Sequence, residues 1–173
     1  MKISTCKIDG LLIFEPKIHY DERGSFLEIY NSNILAKLCL DFFEQQNLVF
    51  SNLNVIRGMH SQESPFEQSK LITVVRGKIL DLVYDMRKDS LTYGESISFQ
   101  MDDINHKTIF VPQGCAHGYQ ALDKNTIVSY SVSGPYVPTK EIRLNPLSQK
   151  FIDYWETPYL LSQLDLEGLK LDS

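Results

Sequence analysis

From about residue 45 onward the chain is a succession of short β-branched runs cut by polar turns, and this pattern limits the fold more than any other feature. The stretch "KLITVVRGKILDLVYDMR" holds two such runs joined at Arg76-Gly77-Lys78, which predicts a hairpin. "KTIFVPQGCAHGYQAL" and "NTIVSYSVSGPYV" follow, separated by Asp123-Lys124-Asn125. Upstream, "LLIFEPKIHYDERGSFLEIYN" reads as strands broken at Pro16 and at an Asp-Glu-Arg-Gly turn. Short strands at this spacing suggest a sandwich or barrel rather than βαβ units. One helix stands out in "SNILAKLCLDFF". Its apolar residues Ile34, Leu35, Leu38, Cys39 and Phe42 recur at helical spacing, and Ser32 is the predicted N-cap. The tail "LSQLDLEGLKL" predicts a short helix or turn beginning at Ser162.

Alternation sorts the polar residues of the strands. Lys70, Ile72, Val74 and Arg76 share one face, as do Asp81, Val83 and Asp85, and Val128, Tyr130 and Val132. If these faces point inward, a barrel interior holds Lys70, Asp81 and Tyr130 among apolar neighbours, where small barrels often keep a ligand. Alternation alone does not say which face is inside.

A length of 173 residues fits one domain, residues 1–173. Acidic residues outnumber basic ones, 22 to 17, which argues against broad nucleic-acid binding yet allows a small anionic ligand. Cys6, Cys39 and Cys115 are odd in number and show no CxxC spacing, so neither a disulfide framework nor a zinc site is expected. A reducing cytoplasm is the simplest setting. "MKISTCKIDG" has no apolar leader, and runs such as "LLIF" are too short to cross a bilayer, so no membrane association is expected.

The histidines are His19, His60, His106 and His117, with no HxH or HxxxH pair, and no metal is expected. Glu63 and Glu67 follow His60 but fall in a Ser/Pro-containing loop. Cys115 and His117, two apart, share a strand face, so a thiol–imidazole contact is conceivable. A small buried residue beside a turn is the simpler reading of Cys115, and no GxSxG elbow is present. "NVIRGMHSQ" is less ordinary. A lone histidine is usually a surface or satisfied core group. Here Arg57 stands three residues from His60 across a glycine, Lys70 follows in "QSKL", and a second glycine-flanked histidine appears in "AHG". Glycines beside polar residues allow close approach of a ligand or of another backbone.

At these residues the sequence resembles the dTDP-4-dehydrorhamnose 3,5-epimerase family of sugar-nucleotide epimerases. The family's DxRGxF turn is "DERGSF", and its QxN run ahead of LRGLH is "QQNLVFSNLNVIRGMH". Its QxKLVxVxxGxVxDVxVDxRxxSxTxG stretch is "QSKLITVVRGKILDLVYDMRKDSLTYG", and IPxGFAHGF is "VPQGCAHGY". A tyrosine thirteen residues after the histidine is Tyr130, and the terminal LSxxD is "LSQLD". The ordered set covers residues 10 to 165.

The resemblance implies a mainly β, cupin-type jelly-roll barrel with a few short helices, working as a homodimer without a cofactor. It implies His60 as general base, Asp165 as its carboxylate partner, Tyr130 as the acid on the opposite face of the sugar, and Lys70 as the enolate's cation. His117 and Asp81 are implied at the same site. Arg57 and Arg23 are implied on the diphosphate, Arg23 reaching over from the other subunit. Gln45, Asn47, Phe26, Glu28 and Tyr136 match substrate-contacting positions. The residue types suit the chemistry. A 4-keto sugar has acidified C–H bonds at C3 and C5, which imidazole can deprotonate near neutral pH.

The chain departs from the family pattern at several places. Ser131 follows Tyr130 where lysine is common, Ser61 replaces the tyrosine of HYQ, and Pro135-Tyr136 replaces a tyrosine pair. Val49 interrupts the QxNxSxS run, Cys115 replaces an aromatic, and one extra residue precedes Asp165. These changes bear on substrate recognition more than on proton transfer. They leave open a 3-epimerase or ketoisomerase on a related sugar nucleotide, and a non-catalytic sugar-nucleotide-binding cupin.

Overall fold

Two facing antiparallel sheets enclose an apolar layer at one end and a cavity at the other. The computed structural model describes residues 1–40 and 42–171. Its strands, in chain order, are β1 (Lys2–Thr5), β2 (Leu12–Glu15), β3 (Ile18–Asp21), β4 (Gly24–Leu27), β5 (Gln45–Ser51), β6 (Ile56–Gln62) and β7 (Lys70–Arg76). They continue as β8 (Lys78–Asp85), β9 (Ser96–Asp102), β10 (Thr108–Val111), β11 (Cys115–Ala121), β12 (Thr126–Val132) and β13 (Glu141–Arg143). One sheet runs β1-β2-β10-β7-β12-β5, the other β13-β6-β11-β8-β9, and β3 and β4 form a separate hairpin. This is an open jelly-roll sandwich, mainly β with short helices, built from strands that repeatedly cross between the two sheets.

The junction at Arg76-Gly77-Lys78 differs from its predicted form. It is a corner, not a hairpin. β7 pairs with β10 and β12, whereas β8 pairs with β11 and β9. Gly77 sits at φ 82°, and a Cβ there would stand 2.8 Å from Thr126 Oγ1. The same turn residues serve a hairpin or a sheet-to-sheet corner. What separates the two is the partner each flanking strand finds.

Burial follows the alternation. Ile72, Val74 and Val128 of the first sheet meet Ile79, Val83 and Met101 of the second in the inner layer. The outer face of the second sheet presents Ile56, Met59, Leu80 and Leu82 to Leu144, Phe151 and Trp155 of the C-terminal segment. The outer face of the first sheet presents Leu71 and Phe110 to Leu35 and Phe43. Leu35 lies on helix α1 (Ser32–Lys37), which is shorter than its apolar spacing predicts. Asn31, not Ser32, is the N-cap, its side chain accepting from Asn33 N and Ile34 N. The helix stops because Cys39 turns to φ 54°, so Leu38 and Phe42 remain exposed. Among the described residues no helix is long and apolar enough to cross a membrane.

Candidate active site

The open end of the sandwich is a cavity of about 590 Å³. β6, β7, β11 and β12 form its walls, and the segment Leu160–Asp165 covers one side. The paired strands bring sequence-distant residues level with one another: His117 is the partner of His60, and Tyr119 of both Arg57 and Asp81.

Arg57 and His60 are three apart, so in a regular strand they would point to opposite faces. Both line the cavity. Between them β6 carries one residue more than β11, because His60 faces His117 while Arg57 faces Tyr119. This is a β-bulge, which reverses the phase of the side chains beyond it. Gly58 makes it possible. Its φ is 115°, and a Cβ would lie 2.5 Å from Gly118 Cα and 2.7 Å from the His117 carbonyl oxygen. Met59 is turned outward into the cluster with Leu82 and Phe151.

Helix α2 (Gln163–Leu166) delivers the carboxylate. Ser162 caps it, its Oγ accepting from Asp165 N at 3.1 Å and donating to Asp165 Oδ2 at 2.8 Å. His60 Nε2 donates to Asp165 Oδ1 at 2.6 Å. Burial alone would raise Asp165, but the His60 and Ser162 hydrogen bonds outweigh it and hold the carboxyl below its ordinary value. With Nε2 committed to the carboxylate, Nδ1 is the imidazole nitrogen available to a ligand. A second pair lies deeper, with His117 Nε2 2.7 Å from Asp81 Oδ2. The other oxygen, Asp81 Oδ1, is buried without a hydrogen-bond partner among the described residues.

Three further groups complete the walls. Lys70 donates from Nζ to the His60 carbonyl at 3.0 Å. Burial pulls its ammonium down to about 8, against the pull of Asp81 and Glu141. Tyr130 is pushed up by burial, with Arg57 opposing, so the phenol keeps its proton at neutral pH. Arg57 donates from Nε to Ser51 Oγ at 3.0 Å and from Nη2 to the Phe50 carbonyl at 3.3 Å. Ser51 Oγ also meets the Tyr119 hydroxyl, which braces the guanidinium beside that ring. Cys115 has no part in this. Burial drives its thiol up to about 12, far from the thiolate a nucleophile needs.

Of the residues singled out from sequence, His60, Asp165, Tyr130, Lys70, His117, Arg57 and Tyr136 line the cavity, and Asp81 stands behind His117. Others do not join them within one chain. Arg23 sits at the turn of the β3–β4 hairpin, exposed and ion-paired with Asp21. Phe26 and Glu28 are exposed on and just after β4. Gln45 and Asn47 bond to each other at 2.8 Å on edge strand β5, on the face of Val49 but beyond the cavity wall. Sequence reasoning missed Glu141, Arg143 and Ser162, which all line the cavity. β13 is three residues long, too short to show a period, although "LSQLD" does contain the N-cap spacing that marks Ser162.

The family model for dTDP-4-dehydrorhamnose 3,5-epimerase matches residues 5–173. The chain belongs to this family. A dTDP-4-dehydrorhamnose 3,5-epimerase from Methanothermobacter thermautotrophicus is 42% identical over 133 residues, which is 76% of this chain and 71% of that protein. The crystal structure of the Bacillus anthracis enzyme, with TDP and PPi bound, superposes with a TM-score of 0.93 at 33% identity, covering 98% of this chain and 99% of that one. A Legionella pneumophila 3,5-epimerase in complex with dTDP-4-keto-L-rhamnose gives 0.91 at 31% identity, over 98% and 92% of the two chains. The epimerase family is thus shown by sequence and by fold together, and its members are isomerase-class enzymes.

Proposed function

We propose that this epimerase inverts C3 and C5 of a dTDP-4-keto-6-deoxyhexose, with His60 as base, Asp165 as its partner, Lys70 as the enolate's counter-charge and Tyr130 as the opposing acid. The observation that carries this reading is the His60–Asp165 pair opening onto a cavity that also holds Lys70 and Tyr130. His60 Nδ1 takes the proton α to the ketone. Asp165 steadies the imidazolium that results, as a carboxylate does behind any catalytic imidazole. Negative charge moves to the 4-oxygen, where the buried ammonium of Lys70 is preorganised to meet it. The Tyr130 phenol then returns a proton from the other face of the ring, after which solvent reprotonates the phenolate and takes the proton from the His60 imidazolium. His117, held by Asp81, orders the cavity wall beside His60. Arg57 and Tyr136 hold the nucleotide diphosphate end. No step calls on a cofactor.

The proposal extends to the assembly. A single domain of residues 1–173 works as a homodimer in the cytoplasm. Supporting this, edge strand β5 leaves Leu48 and Phe50 exposed, and the β3–β4 hairpin projects Tyr20 and Phe26 into solvent. Arg23 on that hairpin then serves the partner's cavity, with Phe26 and Glu28 beside it, and Gln45 and Asn47 form the rim that receives the nucleotide.

Turnover of dTDP-4-keto-6-deoxyglucose in heavy water, followed by NMR, tests the reaction. Deuterium is expected at both C3 and C5. Label at C3 alone would make this a 3-epimerase, and label at neither carbon would leave a sugar-nucleotide binder. Sedimentation at two concentrations tests the dimer.

A further inference from the structure

β6 places Gln62 two residues beyond His60 on the same face, and it is 5% exposed. Its amide is fully engaged. Nε2 donates to the Phe66 carbonyl at 2.7 Å and to the Pro135 carbonyl at 3.1 Å, while Oε1 accepts from Val137 N at 2.7 Å. A glutamine amide has two donor hydrogens, and both are taken, so Gln62 has none to offer a ligand. From the other side Gln68 donates its amide to the Gly134 carbonyl. Residues 133–137 form neither strand nor helix, yet they carry Tyr136 over the cavity mouth, where its hydroxyl donates to Glu141 Oε2 at 3.0 Å. Between the end of β12 and the short helical turn at Pro138–Lys140, the amide of Gln62 meets both Pro135 and Val137, the two neighbours of Tyr136.

We propose that Gln62 is a positioning residue whose amide clamps the 133–137 segment and so sets Tyr136 at the cavity mouth for the nucleotide half of the substrate. This rests on the sugar-nucleotide reading above. The clamp joins recognition to chemistry through one strand: β6 carries His60 toward the sugar and, two residues on, fixes the segment that faces the nucleotide. A hydrogen bond to a neutral partner contributes modestly, but three on one buried amide select a single loop conformation, and preorganisation of this kind appears as affinity.

Gln62→Met keeps the side chain's length and removes every hydrogen bond. The expected result is a rise of about tenfold in KM and in the Kd for dTDP measured by calorimetry, with kcat within about twofold of the parent. In a Tyr136→Ala background the same substitution is expected to change KM no further, because Gln62 acts through that ring. Hydrogen exchange at the Val137 amide is expected to accelerate in Gln62→Met. Gln68→Met loosens the same segment without touching β6 and covers the case in which Gln62→Met fails to fold. It is expected to raise KM, again only when Tyr136 is present. A fall in kcat at constant KM, or additive effects with Tyr136→Ala, overturns the clamp. An active parent whose KM and dTDP affinity ignore these substitutions overturns it too and leaves the epimerase reading standing. A parent that binds dTDP in a Gln62-dependent way but exchanges no sugar proton overturns the epimerase reading and leaves the clamp standing.

Discussion

Among the described residues there are two imidazole–carboxylate pairs, their histidines on neighbouring strands, and they differ in exposure rather than in chemistry. His60 and Asp165 meet at 2.6 Å with 32% of the imidazole exposed and 8% of the carboxylate. His117 and Asp81 meet at 2.7 Å with 8% and 0% exposed. The outer pair joins β6 to a C-terminal helix and leaves one ring nitrogen facing the cavity. The inner pair joins adjacent strands of a single sheet and is packed beneath the first. Under the proposed mechanism, near-identical contacts serve a reaction in one place and a wall in the other. Both imidazoles line the cavity, but His60 is the more exposed of the two, and a base has to reach a carbon-bound proton.

This contrast can be broken most forcefully at the outer pair. His60→Asn is expected to cut proton exchange by about 10⁴-fold with the melting transition preserved, since a positioned base contributes on that order. Asp165→Asn is expected to cost a smaller factor, about 10²-fold, at the low end of the range for acid–base assistance, through the wrong tautomer and an unsupported imidazolium. If Asp165→Asn matched the parent in exchange, the carboxylate would be a structural cap and nothing more. At the inner pair the ranking of effects inverts. His117→Leu leaves the Asp81 carboxylate buried without its partner, a change that costs on the order of 3–5 kcal/mol. Urea denaturation is expected to show the larger loss for His117→Leu than for His60→Leu. Equal losses would erase the distinction drawn between the two pairs.

Lys70 sharpens the contrast by pH. Burial brings its pKa to about 8 from an ordinary 10.5. The charged form is the one that can meet an enolate, so exchange is expected to fall as pH rises through about 8. Stability runs the other way. Between those two values the unfolded chain holds the lysine proton and the fold does not, so raising the pH favours the fold. Opposite slopes of rate and stability above neutrality, both absent in Lys70→Gln, are the expected pattern. A rate that stayed flat past the Lys70 titration would remove the ammonium from the reaction. The smallest effect is expected at Cys115, which shares its strand face with His117. Cys115→Ala should leave exchange within about twofold and cost about 1 kcal/mol of packing. A large catalytic loss there would mean that His117 works with the thiol rather than with Asp81.

The sequence shows most of the strands because period-two alternation is a local property, and β7, β8 and β12 display it plainly. It shows His60, Lys70, Tyr130 and Asp165 as separate residues, and the ordered motifs around them identify the family. What it does not show is partner choice. The Arg76-Gly77-Lys78 turn looks the same whether β7 pairs with β8 or leaves it for the other sheet. The bulge in β6 is equally hidden, since one glycine does not announce that its neighbours are out of phase. Apolar spacing overstates helix α1 because it runs past Cys39, where the backbone has already left the helix. Glu141 and Arg143 escape a sequence reading because β13 is three residues long and owes its place to the neighbouring β6. The β3–β4 residues are legible as a turn, but their place relative to a cavity depends on contacts that one chain does not supply.

The supernumerary residue at Gly58 has a consequence for how this wall can change. Upstream and downstream of it, the inward-facing positions belong to opposite parities, like two combs offset by one tooth. Deleting one residue between Arg57 and His60 would restore regular alternation, with the guanidinium and the imidazole still on one face two positions apart, and would remove the extra bend and twist that the bulge gives this wall. No substitution at one position reproduces the offset, so the spacing between Arg57 and His60 is fixed by chain length, and it can be altered only by insertion or loss.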